Sequence, residues 1–145
     1  MSRVIEVTVG DVKASFELIE DIAPKTTAVL WDSLPIEGPL VHSKRAGDAC
    51  YVPIENGPLV ELPQRPELMV SSIYRGYLAV RPPLRPGGGV ELFLSYGLAE
   101  YRQATGRGYL TAVAKLQGDG AAFFDTLRKT NREGATSVVI RQASA

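Results

Sequence analysis

Breakers cut this chain into short pieces. Fourteen glycines and ten prolines separate brief apolar, β-branched runs, the pattern of many short antiparallel strands. Val4–Val9 and Val12–Ile19 flank Gly10-Asp11, a tight-turn pair, and read as an opening hairpin. Between Pro35 and Pro66, turn signals at Gly38-Pro39, Gly47-Asp48, Asn56-Gly57-Pro58 and Pro63 isolate three short strand candidates, Pro39–His42, Ala49–Ile54 and Leu59–Leu62. Tyr77–Val80 and Val90–Tyr96 form a long hairpin whose tip, Arg81 to Gly89, is stiffened by prolines. Leu110–Leu116 and the β-branched run within Ser137–Arg141 complete the strands.

Two segments read as helices. Pro24 suits a first helical turn, where no amide donor is needed, and Thr26–Leu34 follows without a breaker until Pro35. Val29, Leu30 and Leu34 share its apolar stripe. Gly118-Asp119-Gly120 introduces Ala121–Thr130, with Asp119 as the expected cap and Phe123, Phe124 and Leu127 at helical spacing. The order is strands, helix, many strands, helix, strand. No repeat or linker interrupts it, so a single domain over residues 1–145 is expected.

Composition then narrows the function classes. Sixteen basic residues balance sixteen acidic ones, so no global field favours nucleic acid or an anionic membrane, and neither is an expected partner. The start lacks the basic and long apolar regions of an export signal, and no apolar run approaches a membrane span. A cytoplasmic location is the expectation. One cysteine, Cys50, and one histidine, His42, exclude an internal disulfide and a Cys/His zinc cluster within the chain. No acidic loop has cation-binding spacing, and Gly87-Gly88-Gly89 lacks the Lys-Ser/Thr of a phosphate loop. No metal and no cofactor are expected.

The block Ala14-Ser-Phe-Glu-Leu-Ile-Glu-Asp-Ile-Ala-Pro-Lys-Thr-Thr27 resembles the opening of a cyclophilin, where a strand ending in Phe-Glu-Leu leads through an acidic turn to Pro-Lys-Thr. Ala114-Lys115-Leu116, the glycine turn, the second helix and the last strand resemble the closing unit of that fold. Leu34-Pro35-Ile36-Glu37-Gly38, Gly76-Tyr77-Leu78 and Leu92-Phe93 are similar to small prokaryotic cyclophilin-like domains of unknown function. The resemblance implies a mainly β fold, a closed antiparallel barrel with two capping α-helices. It does not bring the isomerase site with it. Val41-His42-Ser43 stands in the place of Phe-His-Arg, with Arg45 two positions on. Phe93 matches the apolar pocket position, but no Trp or His follows it.

The expected function is binding of a small polar or anionic ligand in the barrel-face groove. His42, Arg45, Tyr51, Phe93, Tyr96 and Tyr109 are the expected lining. His42 and Arg45 orient the polar group, and the aromatic residues supply walls. Arg75, Arg81, Arg85, Arg102 and Arg107, interleaved with tyrosines, add candidate anion contacts. Two alternatives stay open. One is catalysis, either weak prolyl isomerisation through Arg45 or amide or carboxylate chemistry with His42 as base. The other is an interaction subunit, including a homo-oligomer, that uses Pro82-Pro83-Leu84 and Leu62–Pro66.

Overall fold

The first strands form where the alternation places them. In a computed structural model of the chain, which describes residues 2–144, β1 (Val4–Val9) buries Ile5, Val7 and Val9 completely. β2 (Val12–Leu18) returns antiparallel with Val9 opposite Val12. Gly10 takes φ 61° at the turn, a conformation that costs other residues a clash of Cβ with the backbone.

Helix α1 (Pro24–Ser33) opens on Pro24, and its N-cap residue, Ala23, has no side-chain acceptor to offer. The acceptor comes from far along the chain. The Glu67 carboxylate takes the backbone N–H of Lys25 at 3.0 Å and of Thr26 at 2.8 Å, together with the Thr26 hydroxyl at 2.8 Å. A negative group there satisfies free N–H donors and suits the positive end of the helix dipole. Of the expected stripe, Leu30 is fully buried, and Val29 and Leu34 pack partly buried against the core.

The chain continues through β3 (Ile36–His42) and β4 (Gly47–Ile54). The strand expected at Leu59–Leu62 is instead a single 3₁₀ turn at Pro58–Glu61. Pro58 has no N–H to give a ladder and suits the first position of a helical turn, so Leu59 is fully buried while Val60 and Leu62 pack partly buried against the core. Then follow β5 (Ser72–Ile73), β6 (Tyr77–Arg81), β7 (Val90–Glu100), β8 (Arg102–Gln103), β9 (Gly106–Arg107), β10 (Thr111–Leu116), α2 (Ala121–Glu133) and β11 (Thr136–Gln142). The cap expected from Asp119 is absent. The cap position falls one residue later, on Gly120 at φ 68°, which has no side chain to make the capping hydrogen bond.

Eight strands follow one another in the order β4-β3-β11-β1-β2-β10-β6-β7, every neighbour antiparallel. The sheet closes because β7 also pairs with β4, from Gly47 opposite Ala99 to Ile54 opposite Val90. Closure removes the open edges of a long sheet. β5 adds to β7 beyond the barrel. Pro39 is tolerated inside β3 because β4 reaches β3 only at Val41 and His42, leaving that stretch unpaired on one side. Leu78, Val80, Leu92, Leu94, Val113 and Ile140 fill the interior, and α2 adds Phe123, Phe124 and Leu127.

Candidate functional site: a basic cleft on the barrel's outer face

Strand parity sorts the side chains. On β7, Leu92, Leu94 and Tyr96 join the interior cluster, so Glu91, Phe93 and Ser95 face outward. The register extends this face sideways. Tyr51 of β4, Phe93 of β7 and Ala79 of β6 lie in one row, and Pro53, Glu91 and Arg81 in the next. A second hydrophobic cluster forms over this face from Ala49, Ile73, Ala79, Phe93, Ala99, Tyr101 and Leu110, with Tyr51 and Tyr77 at its margin.

Beside that cluster lies a cleft of about 440 Å³. Its floor carries Arg81, Glu91 and Phe93, Tyr51 forms one wall, and Lys44, Arg45 and Arg102 stand at the rim. Four cations face one carboxylate. Lys44, Arg45 and Arg102 are exposed and have no ion-pair partner among the described residues.

Arg81 is the unusual member. Its side chain is 10 % exposed, one terminal nitrogen donates to the Gly89 carbonyl at 3.0 Å, and the other lies 3.8 Å from Glu91 Oε1. Its Nε–H is buried with no partner. A buried guanidinium with an unspent donor is costly to the fold. Glu91 is also poorly served. Burial pushes its carboxyl above the usual carboxylate range, Arg81 pulls it back, and Glu55 adds to the push.

The expected lining residues divide. His42, Arg45, Tyr51 and Phe93 line this cleft. The Phe93 ring is 1 % exposed, covered by Tyr101 packed edge-on at 5.3 Å, which leaves it no open face for a proline ring. Tyr96 points into the barrel instead, the His42 Nε2 lying 2.7 Å from the Tyr96 hydroxyl. Tyr109 is exposed and is not among the residues lining the cleft. The arginines divide likewise. Arg75 stacks on Phe124 at 4.5 Å and Arg107 pairs with Glu100 at 3.4 Å, so neither is free for the cleft.

Arg81 stands among the candidate anion contacts but outside the expected lining, and Glu91 belongs to neither set, yet the sequence holds their signal. Counting outward from Pro86 pairs Arg81 with Glu91, and Tyr77, Ala79 and Arg81 share one parity. Cys50 is fully buried, its thiol 3.2 Å from the Thr130 hydroxyl, and burial pushes its pKa up to about 11 against the opposing effect of that bond. It is no nucleophile at neutral pH. Among the described residues no group of three His, Cys, Asp or Glu side chains is placed to hold a metal, and no helix is long and apolar enough to cross a membrane.

His42 gives a pH prediction. Burial first and Lys44 second hold its pKa below the ordinary 6.5, while Asp48 pulls the other way. The unfolded chain therefore binds the proton more readily, so stability is complete above about 6.5 and falls as pH drops toward the folded value. The melting temperature is expected to fall between pH 7.5 and 5.5, and to fall less in His42→Gln. Equal slopes in the two proteins would remove His42 as the cause.

A closed eight-stranded antiparallel barrel with two helices and a cleft on its outer face defines a cyclophilin-like domain. The same fold occurs in McbB, solved in complex with tryptophan (TM-score 0.70, 17 % identity, 97 % of this chain and 45 % of that one). It occurs in the hypothetical protein AF2241 from Archaeoglobus fulgidus (0.57, 17 %, 98 % and 95 %). It occurs also in a cyclophilin-type peptidyl-prolyl cis-trans isomerase of Cryptosporidium parvum (0.54, 16 %, 100 % and 99 %). This chain thus spans less than half of McbB. It belongs to the family described as protein of unknown function (DUF3830), whose pattern matches residues 5–141. No protein with a curated description matches the chain.

Proposed function

We propose that the outer-face cleft binds a small carboxylate-bearing molecule. The observation that carries this reading is Arg81, nearly buried on the cleft floor, whose Nη1 makes no hydrogen bond among the described residues and stays 3.8 Å from Glu91. A carboxylate supplies the acceptors that a guanidinium fork requires, and the pair gains strength in a partly desolvated cleft. Lys44, Arg45 and Arg102 then act mainly on the approach and on the salt dependence of binding. The cleft volume lies within the range of small-molecule sites. McbB, whose structure was solved with tryptophan, a carboxylate-bearing ligand, shares the fold.

Isothermal calorimetry and thermal shift with small mono- and dicarboxylates test the proposal, since a ligand of the native state raises the melting temperature by mass action. Wild type is expected to bind at least one of them. Arg81→Met keeps the packing and removes the charge, and should weaken binding by about 10- to 100-fold, the worth of one charged hydrogen-bonded contact. Arg45→Ala, at the exposed rim, should weaken it only about two- to fivefold. Affinity unchanged in Arg81→Met, or no carboxylate bound by wild type, overturns the proposal.

A further inference from the structure

We infer that the cleft selects a free α-amino acid, a zwitterion, over a simple acid, because Glu91 stands beside Arg81 on the same floor in an ion pair too long to be a hydrogen bond. The inference rests on the carboxylate-binding reading and adds the second half of the recognition. Arg81 and Glu91 are opposite one another in register, yet their closest approach is 3.8 Å, beyond hydrogen-bond length. Glu91 takes part in no hydrogen bond among the described side-chain contacts, although its side chain is only 25 % exposed. The site therefore offers the Arg81 Nη1 group and the Glu91 carboxylate next to each other, neither satisfied by a hydrogen bond.

A simple anion on Arg81 satisfies the donor and brings a like charge close to Glu91. That carboxylate is already short of solvent and already feels Glu55. The rim cations Lys44, Arg45 and Arg102 are exposed to water and offset this only weakly. An α-amino acid carries its ammonium and carboxylate on one carbon. Seated with the carboxylate on Arg81, it presents N–H donors to Glu91 and spends both groups at once. Tyr51 and Leu84, the latter 53 % exposed, leave an apolar wall for the ligand's side chain. Glu91 is thus the specificity-determining residue.

The test compares side-chain-matched pairs by calorimetry on the intact chain at pH 7.5: L-phenylalanine with 3-phenylpropionate, L-leucine with 4-methylpentanoate, and L-glutamate with glutarate. In at least one pair the amino acid should bind about tenfold tighter or better, the worth of one charge-assisted contact. In Glu91→Gln that preference should shrink to about threefold or less, with the deaminated acid holding its affinity or gaining. Deaminated acids that bind wild type as tightly as the amino acids overturn the inference and leave the carboxylate reading standing. So does a preference that survives in Glu91→Gln. If no member of any pair binds and no other carboxylate does, both fail together.

Discussion

Phe16→Ala is expected to lower the unfolding free energy by about 3–5 kcal/mol, the range for truncating a buried phenylalanine. Phe16 is 1 % exposed on β2 and meets Phe123 of α2 edge-on, ring centroids 5.7 Å apart. Phe123 in turn touches Phe124 at 6.4 Å. Removing the first ring leaves a hole between a helix and a sheet. β2 is hydrogen-bonded to β1 on one side and β10 on the other, so the strand has little freedom to move in and fill it. Against a total of about 5–15 kcal/mol for an ordinary domain, this is a large fraction. Urea unfolding followed through Trp31, the single tryptophan, measures it. A paired Phe16→Ala/Phe123→Ala variant should lose less than the sum of its parts, because the ring–ring contact is worth about 0.5–1.5 kcal/mol beyond the buried area. Full additivity would mean that the two rings stabilise the fold independently.

Gly47→Ala should cost roughly 2–5 kcal/mol through two separable causes. Gly47 has φ +116°, which a Cβ resists by about 1–2 kcal/mol. That Cβ would also sit 2.8 Å from the Leu98 carbonyl oxygen, an overpacking against backbone that costs about 1–3 kcal/mol. Gly10→Ala separates the two, since Gly10 has φ +61° with nothing within 4 Å of the added carbon. It should pay only the conformational part, about 1–2 kcal/mol. Equal losses at the two positions would mean that the contact with Leu98 relaxes freely. Gly47 lies at an irregularity in the β4–β7 ladder that closes the barrel, directly after the Ser43–Ala46 segment bearing Lys44 and Arg45. Carboxylate affinity should therefore fall together with stability in Gly47→Ala.

Much of this architecture is readable in the residues because local chemistry and tertiary role agree. The Val4–Val9 alternation, the Gly10-Asp11 turn, the Pro24 helix start and the Phe123, Phe124, Leu127 stripe each point to one structure and occur as such. Leu59–Leu62 misleads because an apolar run of that length satisfies either a strand or one helical turn, and Pro58 decides between them. Glu67 as the partner of α1 is invisible in the sequence, being 41 residues from Thr26. The candidate site was partly legible for a similar reason. Fold likeness named Arg45, Tyr51 and Phe93, which line the cleft. His42 and Tyr96 differ from Tyr51 and Phe93 in strand parity, and that one-residue difference brings their polar tips together, with Tyr96 inside the barrel. Arg81 and Glu91 needed hairpin register and burial together before their unspent groups became apparent.

Cys50 lies against Thr130 and the Leu127 carbonyl under α2, fully enclosed and protonated at neutral pH. A thiol reagent can reach it only when α2 lifts or the barrel opens. With one cysteine in the chain, the rate of labelling becomes an intrinsic clock for that opening. The free protein and each variant can be timed at native conditions without denaturant, and any ligand that slows the clock reports its own binding.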